Sequence, residues 1–326
     1  MPTSSSSAQA CSSRLAARSP RLVGRRGTLA SILLLSFATP VDAALTGGAT
    51  LTTAYRSILS AQFDRADAEI RQACPPAPAE ACRVLDVVSM WWRIQIDPDN
   101  RGRDRLLNER AQASIAAAEA WTRRDPQSAE AWFYLAGSYA PLVQWQVLRG
   151  EPISAARNGN RVREALEHAL KLDPSLVDAQ FGIGIYQYYA DVAPTAAKLF
   201  RWLLLLPVGD HIKGLRAIEE TSRSGELMRD EAAFQLYQID IWYEHKPDDA
   251  IALLRSLDKR YPTNPLFLQR IAETYDNYLH DARASVAAWQ TLIDRASRDR
   301  VYDAARVMAL AEKKRRAIIA RDPKLF

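Results

Sequence analysis

The sequence lacks the residue patterns on which most enzymes and metal proteins depend. It contains four histidines, and none stands in HExxH or another two-ligand spacing. No GxSxG elbow, Walker loop or strand-linked GxGxxG is present. Asp240 and Glu244 form an acid pair at helical spacing, which is typical of solvated helix faces and leaves a helical-toroid hydrolase as a distant alternative. We therefore expect no enzyme, no catalytic residues, no metal ligands and no cofactor.

Cysteine is also scarce, with three residues in the chain. Cys74 and Cys82 bracket a proline-rich turn between two helical stretches, and we predict a disulfide between them. Chain-entropy reasoning assigns such a small loop roughly 2–3 kcal/mol. Two free thiols or a metal pair are the alternatives, but a zinc site needs about four ligands, and no histidine or second cysteine pair is near. A structural disulfide indicates an oxidising compartment.

No apolar run reaches the roughly 20 residues that a membrane-spanning helix needs. The apolar run 29–37 follows five arginines without an intervening acid and precedes small residues at 41–43. This is the order of regions in a secretory signal. We predict a signal peptide over residues 1–43, cleaved near Ala43, and an exported, periplasmic chain. A disordered tail and an uncleaved anchor are the alternatives.

A large charge of one sign is missing outside this segment. The whole chain has 43 basic and 38 acidic residues. Five of the basic residues and one acid fall within 1–43, so the remainder, 44–326, is close to neutral. No dense basic stripe is left to neutralise a phosphate backbone, which excludes nucleic acid as the expected partner.

Helix-forming residues and helical spacing dominate what is present. Ala, Leu, Arg and Glu recur and β-branched runs are scarce, which favours an all-α fold. Pro126, Pro174 and Pro262 each close a helical stretch, and small or apolar residues precede each at the same three offsets. Trp132, Leu135, Ala136 and Tyr139 form a stripe at i, i+3, i+4 and i+7, which Leu268, Ile271, Ala272 and Tyr275 repeat.

These stripes and proline-terminated segments resemble the tetratricopeptide repeat family, whose unit is a 34-residue helix-turn-helix. The resemblance implies a right-handed α-solenoid of roughly 11–13 helices with a concave groove for peptides or proteins. We expect one repeat domain over 44–326. Its expected parts are an N-terminal hairpin 51–97 closed by the disulfide, degenerate repeats 98–225, more regular repeats 228–296 and a capping helix 301–321. Among the expected helices are 103–124, 129–148 and 193–206, together with either one helix over 51–73 or two that meet near Gln62.

The function that this resemblance implies is a non-catalytic scaffold that binds a protein or peptide partner in its groove. Aromatic residues on the helix faces are the candidates for partner contact. They are Trp132, Tyr139, Tyr186, Tyr189, Phe234 and Trp242. Trp91 and Trp92 occupy adjacent helix positions about 100° apart, so we expect one in the core and one on the surface.

The aromatic and apolar segment 186–206 interrupts the repeats and has three interpretations. It is a buried hairpin, an exposed wall for an apolar ligand, or a helix on a membrane surface with a thin basic face. The second interpretation gives the runner-up function, a small-molecule or lipid-binding solute protein. Asp210 after this segment is predicted to cap the next helix.

Overall fold

The computed structural model describes residues 45–192, 208–321 and 323, and all regular elements in these ranges are helices. They comprise one 3-10 helix, Arg101–Arg103, and thirteen α-helices. The α-helices are α1 (Gly48–Leu59), α2 (Phe63–Ala73), α3 (Ala79–Ile96), α4 (Asp104–Arg124), α5 (Ala129–Leu148), α6 (Pro152–Leu172), α7 (Val177–Val192), α8 (His211–Ser224), α9 (Arg229–Trp242), α10 (Pro247–Arg260), α11 (Pro265–Asn277), α12 (Ala282–Ala296) and α13 (Ala304–Arg321).

Each helix packs against its successor, so the predicted all-α fold with the stacking order of a helical solenoid is confirmed. The hairpins are α3–α4, α5–α6, α7–α8, α9–α10 and α11–α12. The observed helix bounds follow the expected ones, including the break between α1 and α2 at Gln62. The predicted signal peptide and the helix expected over 193–206 lie outside the described residues.

Local chemistry sets the helix starts. Ser128 accepts a hydrogen bond from the Ala131 amide at 3.1 Å before α5, and Asn264 accepts one from the Leu266 amide at 3.0 Å before α11. Asp210 caps α8 as predicted, because its carboxylate accepts from the Lys213 amide at 3.0 Å. These side chains satisfy amides that have no partner inside the helix.

Small residues determine how closely the helices approach. Gly184 of α7 faces Gly214 of α8, and a Cβ added at Gly214 would lie 2.6 Å from the Gly184 carbonyl oxygen. The α7–α8 hairpin therefore requires glycine at this crossing, because any side chain would force the two backbones apart. Ala250, Leu254 and Leu257 are fully buried on α10, which confirms the repeated stripe before Pro262.

The first helix contacts much later hairpins. Leu51, Ile58 and Leu59 are fully buried on α1. The Asn264 side-chain amide donates a hydrogen bond to the Leu59 carbonyl oxygen at 2.8 Å, and Thr263 donates to the Ser60 carbonyl oxygen. The chain thus brings its first and eleventh helices together, although 205 residues separate Leu59 from Asn264.

Aromatic rings fill the space beside α1. Trp92 is fully buried, and its ring centroid lies 5.1 Å from that of Phe234 and 6.0 Å from that of Phe267. Trp91 is buried too, and its indole N–H donates to Gln144 Oε1 at 2.7 Å. The expectation that one of the two tryptophans faces solvent is wrong, because α9 and α11 cover one side of α3 and α5 covers the other.

Cys74 and Cys82 lie at disulfide-bonding distance, as predicted, and join the end of α2 to the first turn of α3. The bond holds the α1–α2 hairpin to the rest of the stack. Among the helices of the described residues, none has the length and apolar character required to cross a membrane.

Candidate partner-binding surface

The exposed large hydrophobic side chains are confined to one edge of the helical stack. Nine such residues occur in the described ranges, and all nine lie in or beside the connection between the first and the second helix of a hairpin. They are Leu106, Val147, Leu148, Ile153, Val208, Ile212, Trp242, Tyr243 and Tyr278. We call this the turn edge, formed by the α3–α4, α5–α6, α7–α8, α9–α10 and α11–α12 connections.

The opposite edge differs sharply. In the described part of the chain, the α4–α5, α6–α7, α8–α9 and α10–α11 connections expose no large hydrophobic side chain. Single exposed apolar residues are ordinary on protein surfaces, whereas contiguous ones indicate a contact site. In a repeat stack the corresponding connections of successive hairpins lie on the same side. One-sided exposure therefore makes this edge the candidate contact surface.

An ion pair holds the α5–α6 part of the turn edge in place. The Arg149 guanidinium donates two hydrogen bonds to the Asp104 carboxylate, at 2.7 and 2.8 Å, and a third to the Pro98 carbonyl oxygen at 2.8 Å. This fork geometry fixes the α3–α4 and α5–α6 connections relative to each other. Val147, 66% exposed, lies two residues before this arginine and is therefore displayed on a fixed turn.

At the α9–α10 turn, three tyrosine rings pack edge to face. Tyr188 and Tyr189 of α7 each contact Tyr243, with centroid distances of 5.9 and 5.4 Å. Burial raises the pKa of both α7 tyrosines, and the Tyr188 hydroxyl donates to Glu244 Oε1 at 2.6 Å. Tyr243 keeps 40% of its surface exposed, and its neighbour Trp242 keeps 53%. The cluster thus anchors an aromatic pair that faces outward.

Asp240 lies in the last turns of α9 and is only 8% exposed. Burial raises the pKa of its carboxyl to about 6; Lys246 opposes this, and the nearby acids Asp249, Glu244 and Glu219 add to it. None of the residues that the structure describes donates a hydrogen bond to this carboxylate. The expectation of a solvated acid pair is wrong for Asp240, because α7, α8 and α10 pack around α9 and bury it. Glu244 lies beyond the end of α9, so the two acids do not share one helix face.

The predicted contact residues fall in three places. Tyr189 belongs to the tyrosine cluster and Trp242 projects beside it, so the structure brings these two to the same end of the stack. Tyr186, also on α7, is half-buried, with the Arg163 guanidinium 5.5 Å from its ring centroid. Phe234 is buried between Trp92 and Phe267 in the interior.

The other two predicted residues lie on α5. Trp132 stacks on His168 with a centroid distance of 4.1 Å, and its indole N–H donates to the Pro126 carbonyl oxygen at 2.9 Å. Tyr139 is buried, and the Arg161 guanidinium donates to its hydroxyl at 2.9 Å. Both side chains therefore have internal partners in the hairpin stack.

Most residues of the turn edge lie outside the predicted contact residues. The missed residues are Leu106, Val147, Leu148, Ile153, Val208, Ile212, Tyr243 and Tyr278. A signal was available in the sequence, since large apolar residues stand on both sides of several predicted turns. Turns ordinarily carry polar residues, so apolar residues that flank a turn indicate exposure for contact.

The interior holds a second tyrosine–glutamate pair. The Tyr55 hydroxyl donates to Glu231 Oε2 at 2.8 Å, and the Gln235 amide lies 3.4 Å from the other carboxylate oxygen. Burial raises the pKa of Glu231, while hydrogen bonds from Tyr55 and Gln235 oppose that shift. Because α1 provides Tyr55, the chain itself already covers this part of α9.

A cavity of about 500 Å³ lies beside the α1–α2 turn, lined by residues such as Gln62, Thr263 and Tyr302. The Arg295 guanidinium at its wall is already held by Asp258, through bonds of 2.6 and 2.8 Å. In the ranges that the structure covers, no group of three or more His, Cys, Asp or Glu residues is placed to hold a metal ion. The turn edge is therefore the stronger candidate surface.

Comparison with known proteins finds no family model and no curated protein that matches this chain. Membership of the tetratricopeptide repeat family stays a prediction.

Proposed function

We propose that this protein is an exported, non-catalytic helical-repeat scaffold of the tetratricopeptide type, which binds a protein partner through its turn edge. The one-sided exposure of large hydrophobic side chains carries this proposal. The secretory-type segment over 1–43 and the Cys74–Cys82 bond support export, and the periplasm is the proposed compartment.

The composition of the turn edge favours a protein partner. Tryptophan and tyrosine dominate the energetics of protein interfaces, and Trp242, Tyr243 and Tyr278 are exposed there. The Arg149–Asp104 pair and the tyrosine cluster hold the edge in shape. A surface that is already ordered loses little conformational entropy when a partner binds.

We place the partner on the turn edge instead of a groove along the helices because α1 already covers part of α9 and contacts the start of α11. Its Tyr55 bonds to α9, and its last turn accepts a hydrogen bond from the cap of α11. A groove ligand at this position would have to replace contacts that bury several α1 side chains completely. Exposed edge residues require no such replacement.

Site-specific photo-crosslinking in the cells that make the protein tests this proposal. A benzophenone amino acid at Val147, Trp242 or Tyr278 probes the turn edge, and Gln127, Ser175 and Arg298 are matched exposed positions at the other edge. We expect the edge positions to yield the same protein conjugate and the control positions to yield none. Equal yields from both edges, or conjugates only from the controls, would contradict the proposal.

The runner-up function, binding of a small molecule or lipid by segment 186–206, has its own readout. Most of that segment lies outside the described residues. Flotation of the mature chain with liposomes, together with the absence of protein conjugates from the turn edge, would favour the lipid-binding alternative over the scaffold.

A further inference from the structure

We infer that the α9–α10 turn recognises a positively charged side chain with apolar neighbours on the partner protein. This inference rests on the proposed function, because it names the partner chemistry at one part of the turn edge. We call the region formed by Asp240, Trp242, Tyr243 and Glu244 the acidic–aromatic site.

An unpaired carboxylate is the first observation. Asp240 is 8% exposed, and no hydrogen bond reaches its carboxylate from any part of the chain that the structure describes. Buried carboxylates are normally paired or hydrogen-bonded, because water no longer solvates them fully. A guanidinium or ammonium group from another molecule would supply the missing donors.

The surrounding charge is the second observation. Glu244, Asp249 and Glu219 all lie close enough to Asp240 to act on it electrostatically, and Lys246 is the opposing cation. The stretch 240–249 alone contains four acidic residues and one lysine, although the chain beyond residue 43 is close to neutral. A local negative excess steers and selects positively charged partners.

Exposed aromatic surface beside these acids is the third observation. Trp242 is 53% exposed and Tyr243 is 40% exposed. The rings of Tyr188 and Tyr189 pack edge to face against the ring of Tyr243. Aromatic faces attract cations and also bury the apolar stem of arginine or lysine. Acids next to fixed aromatic rings therefore match a basic residue flanked by apolar ones.

Lys246 shows how a cation is accommodated here. Its ammonium nitrogen lies 3.8 Å from Glu244 Oε2, its side chain is half exposed, and its amide donates to the Asp240 carbonyl oxygen at 2.7 Å. The ammonium group thus reaches the acids from solvent without forming a close hydrogen bond. A partner cation would compete with it, and removing this lysine should favour the partner.

The α5–α6 part of the turn edge lacks this character. Arg149 and Asp104 are already paired with each other in a bidentate contact, which leaves Glu151 as the one other charged residue between α5 and α6. Val147, Leu148 and Ile153 around that pair are aliphatic. We therefore assign charge recognition to the α9–α10 turn and apolar contact to the α5–α6 turn.

Peptide titration of the full mature chain tests this assignment. The protein is labelled with 5-fluorotryptophan, and Trp242→Phe assigns the Trp242 fluorine resonance. The probes are an acetylated Leu-Arg-Leu amide and the same peptide with citrulline, which has the shape of arginine without its charge. We expect the arginine peptide to shift the Trp242 resonance saturably and the citrulline peptide to bind about tenfold more weakly.

Two variants with opposite expected effects sharpen the test. Asp240→Asn should weaken binding of the arginine peptide about tenfold, and Lys246→Met should tighten it about threefold, since it removes the competing cation. Asp64→Asn, on the exposed first turn of α2, is the matched control and should leave binding unchanged.

Equal binding of both peptides, or unchanged affinity in both Asp240→Asn and Lys246→Met, overturns the charge recognition. Failure of the arginine peptide to shift the Trp242 resonance at millimolar concentration overturns it as well. In each case crosslinks from Val147 would preserve the scaffold proposal. If no turn-edge position gave a crosslink but the protein still preferred the arginine peptide over the citrulline peptide, the scaffold proposal would be overturned and the acidic–aromatic site would stand.

Discussion

A tyrosine–glutamate hydrogen bond occurs near each end of helix α9, and the two differ in how far they are buried. Glu231 in its first turn accepts a hydrogen bond from Tyr55, and Glu244 just beyond its end accepts one from Tyr188. The first pair is enclosed by α1, whereas the second lies beneath exposed Trp242 and Tyr243. A distant part of the chain, α1, therefore covers the interior pair. Among the described residues, none covers the turn edge.

The tryptophans repeat this contrast. Trp92 is fully buried among Phe234 and Phe267, whereas Trp242 leaves 53% of its surface exposed. Burial of a large aromatic ring contributes directly to folding, and exposure of one contributes only when a partner covers it. The interior therefore maintains the fold, and the turn edge is available for binding.

Alanine substitutions at Trp92 and Trp242 should give the largest difference in the free energy of unfolding between the interior and the turn edge. We expect Trp92→Ala to lower the free energy of unfolding by about 3–5 kcal/mol, because it leaves a cavity in the aromatic interior. Trp242→Ala should change it by less than about 0.5 kcal/mol. Urea denaturation followed by circular dichroism measures both, and equal losses would show that the turn edge is part of the folding core.

Removal of the two tyrosine hydroxyls should lower the free energy of unfolding by different amounts, with a smaller difference than for the tryptophans. Tyr55→Phe leaves the enclosed Glu231 without its main donor, so we expect a loss of about 1–3 kcal/mol in the free energy of unfolding. Tyr188→Phe should cost about 0.5–1 kcal/mol, because solvent can reach Glu244. A larger loss for Tyr188→Phe in the same urea titration would reverse the assignment of interior and edge.

Asp240 gives the smallest of the three effects, with a defined pH dependence. Its carboxyl has a pKa of about 6 in the folded chain against 3.8 ordinarily, so folding favours the protonated form. That stability is present below about pH 4 and is lost as the pH rises through 6. We expect Asp240→Asn to increase the free energy of unfolding by about 1–2 kcal/mol at pH 8 and to change it little at pH 4.

Chemical denaturation at both pH values measures this difference. Gln127→Ala, an exposed and non-titrating substitution at the opposite edge, serves as the control and should show the same small effect at each pH. A destabilising effect of Asp240→Asn at pH 8 would mean that the carboxylate is paired after all.

Local patterns predicted the helices well. The bounds of α4 and α5, the break at Gln62 and the cap at Asp210 all follow from short-range chemistry, and the structure confirms them. The pairing of Cys74 with Cys82 followed from their position around one turn. Each of these features is decided by residues that are neighbours in sequence.

Contacts between distant helices could not be predicted in the same way. Helical spacing shows which side of α3 is apolar, but it does not show that α1, α9 and α11 converge on Trp92. Glu231 stands in the first turn of a helix, where an acid is ordinarily explained by the helix dipole. Its role as the partner of Tyr55 depends on a contact across 176 residues.

The acidic–aromatic site was predicted only in part. Trp242 and Tyr189 are predicted contact residues; Trp242 lies at the α9–α10 turn, and the ring of Tyr189 on α7 contacts Tyr243 there. Asp240 was recognised as half of an acid pair, but its burial depends on how α8 and α10 pack beside α9. Sequence spacing identifies the residues of such a site and leaves their solvation undetermined.

The contact of α1 with α11 has a consequence for how the chain acquires its structure. Stacked repeats ordinarily depend on adjacent units alone, so they can form progressively from one end. Here Asn264 must be in place before the Leu59 carbonyl oxygen finds its hydrogen-bond donor. Contacts so remote along the chain slow folding and couple its two ends, so loss of the final hairpins would also remove the hydrogen-bond donor at the end of the first helix.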